Sequence, residues 1–110
     1  MTRDKAVLLV IQRELIILSE LTDNLEKAVF MKSEKDQRAV IMTLLNIGEK
    51  VKQLTPLFRN KHNEIQWKQI AGLRDIVAHS YYKLDMDDIW NTVTISIPQF
   101  GKQISALILN

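Results

Sequence analysis

Apolar residues recur along most of the chain at the three- and four-residue spacing of a single helix face. From residue 4 to about 29, Val7, Leu8, Val10, Ile11, Leu15, Ile16, Ile17, Leu18, Leu21, Leu25 and Val29 form a stripe too wide for one packing partner. A helix of this kind is buried on more than one side. A small bundle has few ways to surround about 25 residues of helix, so the pattern points to a homodimer.

Ser33 followed three residues later by Asp36 gives a capping-box-like start to a second helix, from about 34 to 54, with Ala39, Val40, Leu44, Ile47, Val51 and Leu54 on its apolar face. Gly48 lies inside it. A mid-helix glycine costs about 1 kcal/mol relative to alanine, so close approach of another backbone is the natural explanation. Pro56 closes this helix, and residues 55–63 read as a polar, basic loop. A third helix covers 64 to about 79, and Asp85 with Asp88 starts a fourth that carries Ile89, Trp90, Val93, Ile97, Phe100 and Ile104. Residues 93–97, VTISI, alternate as a strand would. A lone strand would have no partner, so a helix kinked or broken near Pro98 is expected. The fold class is all-α, an up-down bundle of four to five helices forming one domain over residues 1–110.

Three glycines and two prolines in 110 residues suit long helices with few tight turns. Cysteine is absent, which removes disulfides, thiolate metal sites and cysteine nucleophiles, and fits a reducing cytosol. The first residues lead straight into an amphipathic pattern, so neither secretion nor membrane spanning is expected, and a cytoplasmic protein is. No glycine-rich phosphate loop, CxxC or HExxH pattern occurs, and two isolated histidines do not make a metal site; no cofactor or metal is implied. Net charge is only +2, but it is unevenly spread: residues 50–74 hold six cations against the single Glu64, a balance of +5, and residues 75–88 carry −3. A basic segment suits a polyanion such as RNA, although solvated helix faces also cluster charge.

The candidate chemistry lies in residues 67–85, WKQIAGLRDIVAHSYYKLD. On a helical wheel Arg74 falls among Trp67, Ile70, Val77 and Ala78, a permanent charge within an apolar stripe. It must line a cleft, pair with an anion such as the Glu49 carboxylate, or sit at a subunit seam. Asp75 and His79 are four apart, so the carboxylate can hold the imidazole and favour its protonated form. Arg74 and His79 are five apart, about 140° around a regular helix, and cannot converge on one atom. Either the helix ends near Ala78 or a second subunit completes the site. Against these stands a plainer reading, with Arg74 in a structural ion pair and His79 answering the helix dipole. His62 has no patterned neighbours and reads as a surface residue.

The ordered set Arg38-Ala39, Asn46-Ile47-Gly48-Glu49, Trp67 through Asp75, His79-Ser80-Tyr81, Asp85, Ile89-Trp90 and Pro98 resembles the HepT family of the HEPN superfamily over nearly the whole chain. Its spine is Arg74, His79 and Tyr81. The resemblance implies a HEPN-like helical homodimer acting as a metal-independent RNA endonuclease toxin, with tRNA as its substrate, beside a minimal nucleotidyltransferase antitoxin of the MntA kind. It assigns Arg74 and His79 to the nuclease site and Tyr81 to AMPylation by the antitoxin. Asp75 stands where the family commonly has Asn, which places a supporting negative charge beside the site. A non-catalytic module that binds a nucleotide or a nucleotidyltransferase is the alternative.

Overall fold

A computed structural model describes the backbone of residues 2–79 and 81–109, and the side chains among them outside 76–81. Every regular element among the described residues is helical. Thr2 opens α1 (Arg3–Thr22), its hydroxyl accepting from the Lys5 N–H at 3.1 Å, with Asp4 in the first turn facing the positive end of the helix dipole. The apolar pattern carries this helix to about residue 29; the chain instead leaves it at Asp23. Asn24 then adopts a left-handed backbone, φ 61°, which Asn tolerates better than most residues. The remaining apolar positions belong to a separate short helix, α2 (Lys27–Lys32), which plants Phe30 in the core and sets its ring 5.2 Å from that of Trp90.

Ser33 caps α3 (Glu34–Val51) by accepting from the Asp36 N–H at 3.1 Å, while its own N–H goes to Phe30 O, so only the hydroxyl half of the expected reciprocal box forms. Pro56 does not merely end α3. It occupies the first turn of a further helix, α4 (Pro56–Lys61), where its missing N–H is no loss. Thr55 caps this helix, and Asp4 of α1 binds both the Thr55 N–H (2.8 Å) and its hydroxyl (2.7 Å). The third long helix, α5 (Trp67–His79), starts three residues later than the pattern suggested. Backbone turns occupy the stretch between, with Ile65 N–H donating to His62 O and Trp67 N–H to Ile65 O, and the Trp67 indole N–H donates to His62 O at 2.9 Å.

A 3-10 turn covers Tyr81–Lys83, and Asp85 caps α6 (Met86–Asn91) by accepting from Asp87 N and Asp88 N. The expected break near Pro98 is absent. Helical backbone continues from α6 through a wide π turn, Thr92–Ser96, into α7 (Ile97–Leu109). The Ile97 N–H reaches back five residues to Thr92 O, and the Thr92 and Thr94 hydroxyls bond the carbonyls of Asp88 and Trp90. Pro98 needs no hydrogen-bonded N–H, and the wide turn accommodates its ring.

α1 runs antiparallel to α3 and α7: Asn46 donates to Glu14 at mid-helix, Arg3 to Gln53 O at the α3 end, and Lys5 to Ile108 O at the α7 end. α5 packs on the opposite side of α3. Ile11, Leu18, Phe30, Val40, Leu44, Ile47, Val51 and Ile104 fill the core between these helices. No helix among the described residues is long and apolar enough to cross a membrane.

Gly48 marks the closest seam. A Cβ there would stand 2.9 Å from the Arg74 backbone nitrogen and 3.1 Å from both Arg74 Cβ and Ile70 O, whereas one at Gly72 meets nothing within 4 Å. Gly48→Ala is therefore expected to destabilise the fold by about 1–3 kcal/mol, because the atoms in its way are mainly backbone. Gly72→Ala should be neutral or stabilising by up to about 1 kcal/mol. Denaturant melts of the two variants check the contrast.

Candidate functional site

The α3–α5 seam sets the geometry of the candidate site. Because Gly48 lets the two backbones approach, the residues beside it and one turn beyond it, Glu49 and Lys52, face the middle of α5. Glu49 Oε2 holds Arg74 Nε at 2.9 Å. Arg74 Nη1 donates to Asp75 Oδ1 at 3.2 Å, and Lys52 Nζ reaches the same oxygen at 3.3 Å. The result is a chain of alternating charge, Glu49–Arg74–Asp75–Lys52, whose formal charges sum to zero. The Arg74 side chain is 43% exposed. Its charge therefore meets carboxylates and water together.

Glu49 as a partner for Arg74 follows from the sequence reading, and the structure places the two in contact. Asp75 is different. The sequence reading pairs it with His79, and its carboxylate is already held by Arg74 and Lys52. The His79 and Tyr81 side chains lie outside the described residues. The backbone of α5 is helical through His79, so the helix does not end before that residue. Lys52 is the participant the sequence reading missed. It lies four residues after Gly48, hence on the same face of α3, and that spacing was the available signal.

Asp75 is exposed, and its carboxyl is held below the ordinary aspartate range, chiefly by the Arg74 hydrogen bond and then by the Lys52 hydrogen bond and charge. His62, read as a plain surface residue, is instead three-quarters covered. Its ring lies 4.7 Å from that of Phe58, and its Nδ1 is 4.0 Å from Glu64 Oε1. Phe58 in turn neighbours Trp67, which meets Phe100 edge-on at 5.9 Å, so this corner is aromatic packing. Several other residues of the quoted motif also serve the scaffold: Arg38 pairs with Glu34 on the surface, Asn46 with Glu14, and Asp85 caps α6. Among the described residues no three His, Cys, Asp or Glu side chains are grouped so as to hold a metal ion.

The sequence model of the family described as "Ribonuclease HepT-like" matches residues 11–107. The chain belongs to the HepT-like family. Among curated HepT-like relatives, a protein of Caldanaerobacter subterraneus subsp. tengcongensis named as a candidate RNase is 39% identical over 72% of this chain and 70% of its own. Another so named, from Methanocaldococcus jannaschii, is 37% identical over 81% and 74%. The "Probable ribonuclease HepT" of Thermococcus cleftensis is 34% identical over 83% of each chain. No solved structure matches.

Two outcomes follow from the charge chain. The Arg74–Glu49 pair is too exposed to be worth more than about 1 kcal/mol, so Arg74→Ala should lower stability only slightly in a denaturant melt. Asp75, with a lowered folded-state pKa, contributes stability that is present above the unfolded aspartate value and is lost as pH falls through the folded one. An NMR titration of the Asp75 carboxyl should show its midpoint rising towards the unperturbed value in Lys52→Met.

Proposed function

We propose that this HepT-like chain is an RNA endonuclease that works without a metal ion, as a homodimer, with Arg74 and His79 as its catalytic residues. Metal-free RNA cleavage through the 2′-hydroxyl needs a base for that hydroxyl, an acid for the leaving oxygen and a cation for the charge that builds on phosphorus. Arg74 fits the last role. Its Nε edge is fixed by Glu49, and the half-exposed guanidinium keeps donors available for a phosphate, with a charge that pH does not remove. That anchored, solvent-facing guanidinium is the observation that carries the proposal. His79, six residues before the α6 cap Asp85, supplies an imidazole, the side-chain type that most often serves as acid or base.

α5 is helical from Trp67 through His79, and positions five apart on a regular helix point about 140° apart, so groups from a second copy would complete each site. α1 supports the dimer: it packs on both α3 and α7 and still leaves Ile16 54% exposed. Asp75, in contact with Arg74, supports the site and also competes with an incoming phosphate for the guanidinium. The substrate proposed is tRNA in the cytoplasm. The partner proposed is a minimal nucleotidyltransferase antitoxin that adds AMP to Tyr81, placing bulk and negative charge near the cation and repelling RNA.

A second reading is favoured by one observation: Arg74 contacts two carboxylates, so the cluster has no net charge with which to bind substrate. In that reading the chain is a non-catalytic module that docks a nucleotide or a nucleotidyltransferase. The decisive comparison is His79→Ala. It is expected to lower cleavage of tRNA by about 10²- to 10⁴-fold while leaving the helical content and the sedimentation behaviour unchanged. Undiminished cleavage by a nuclease-free preparation of His79→Ala overturns the assignment. Growth arrest on induced expression that His79→Ala relieves supports the nuclease; unimpaired growth with wild type favours the module.

A further inference from the structure

We propose that the notch between α4 and the first turn of α5 is a second RNA subsite, which takes a backbone phosphate of the strand whose scissile linkage lies at Arg74. The proposal rests on the nuclease reading for the location of that linkage. The notch has a volume of about 290 Å³ and is edged by Arg59, Asn60, Asn63, Gln66 and Lys68 over a floor of Ile65 and Trp67. Two cations and three side-chain amides thus converge, all able to donate hydrogen bonds to phosphate oxygens. No carboxylate lines it. Glu64, the acidic residue closest in sequence, stands beside His62 instead.

The two cations are uncommitted. Lys27, Arg38, Lys52 and Arg74 are each held by a carboxylate, but neither Arg59 nor Lys68 has an ion pair among the described residues. Arg59 Nε, moreover, is buried without any hydrogen-bond acceptor. A buried guanidinium N–H left unpaired is costly and calls for an explanation; an anion arriving in the notch, with a small shift of the side chain, provides its acceptor.

Position ties the notch to the proposed scissile site. Lys68, Gly72 and Asp75 follow one another at spacings of four and three, so they share a stripe of α5. Lys68 and Arg74 are six residues apart, a rise of about 9 Å along the helix. On that stripe Gly72 leaves the surface bare, its side-chain position meeting nothing from outside its own helix within 4 Å. Arg74 lies about 120° around α5 from Lys68, so a flexible single strand with one phosphate in the notch and another at Arg74 must wrap partly around the helix between them.

The test is binding of a fluorescently labelled single-stranded oligoribonucleotide to the full chain, read by anisotropy over a series of KCl concentrations, for wild type, Lys68→Gln and Arg59→Gln/Lys68→Gln. The double variant should bind about tenfold more weakly at moderate salt, and its slope of log K against log salt should be shallower by about 0.7, the value for one lost single-strand phosphate contact. Lys68 is exposed, so Lys68→Gln alone should keep the fold and lose affinity by about threefold. Equal affinity and equal slope for wild type and variants overturn the subsite and leave the notch to an acidic protein surface; failure of wild type to bind RNA at low salt also overturns it. Cleavage by wild type, measured on the same RNA, separates the two ideas. Binding that depends on Arg59 and Lys68 without any cleavage sinks the nuclease and keeps the subsite. Cleavage with unaltered binding by the double variant does the reverse.

Discussion

The backbone contact at Gly48 is the constraint on which the rest of this molecule depends. Interiors are packed too densely for two helices to approach within 3 Å of a Cβ, so only a residue without one permits this seam. Everything the α3–α5 pair offers to solvent follows from it. Glu49 reaches Arg74 because it is the next residue, and Lys52 reaches Asp75 because it is one turn on. The free energy of the seam comes from the buried side chains around it, Ile47, Val51, Ile70 and Ala71 among them, and the ion pairs at its edge set direction more than stability.

An arginine held in this way is pre-oriented. A free arginine side chain loses much rotamer entropy when it grips a phosphate, and anchoring one edge removes part of that loss beforehand. The same anchor introduces competition, since Asp75 already occupies one of the donors a phosphate would use. An Asn in its place could accept the same Arg74 hydrogen bond but would give Lys52 no charge to pair with. Lys52 thus acts as the counterweight to Asp75, restoring neutrality at the cost of a cation otherwise free to meet RNA.

What could be read from the sequence was decided by the range of the interaction. The Ser33 and Asp85 caps, the meaning of Gly48 and the Glu49–Arg74 pair were legible because each rests on spacing along a helix or on the rarity of a residue type in its setting. The end of α1 was not, because Leu25 and Val29 continue its apolar period past Asn24, and only the left-handed backbone there reveals the break. Pro56 gave the right position and the wrong meaning, since a proline after a helix also suits the first turn of the next one. The alternation of 93–97 came from a π turn: residues four apart drift by about 40° on a regular helix, and the wider turn brings Ile89, Val93 and Ile97 back to one buried face. At the candidate site, the sequence placed Arg74 and Glu49 together, but the capture of Asp75 by Lys52 is a contact across 23 residues, signalled only by the four-residue step from Gly48 to Lys52.

The clasp between Asp4 and Thr55 has a consequence of another kind. Six residues are too few for a helix to persist by its own cooperativity in water, so α4 borrows its order from outside itself. The lender is a carboxylate in the opening turn of α1, some fifty positions earlier in the chain. The basic corner is therefore joined to the first turn of α1, and whatever loosens that turn will be felt there before it reaches the core.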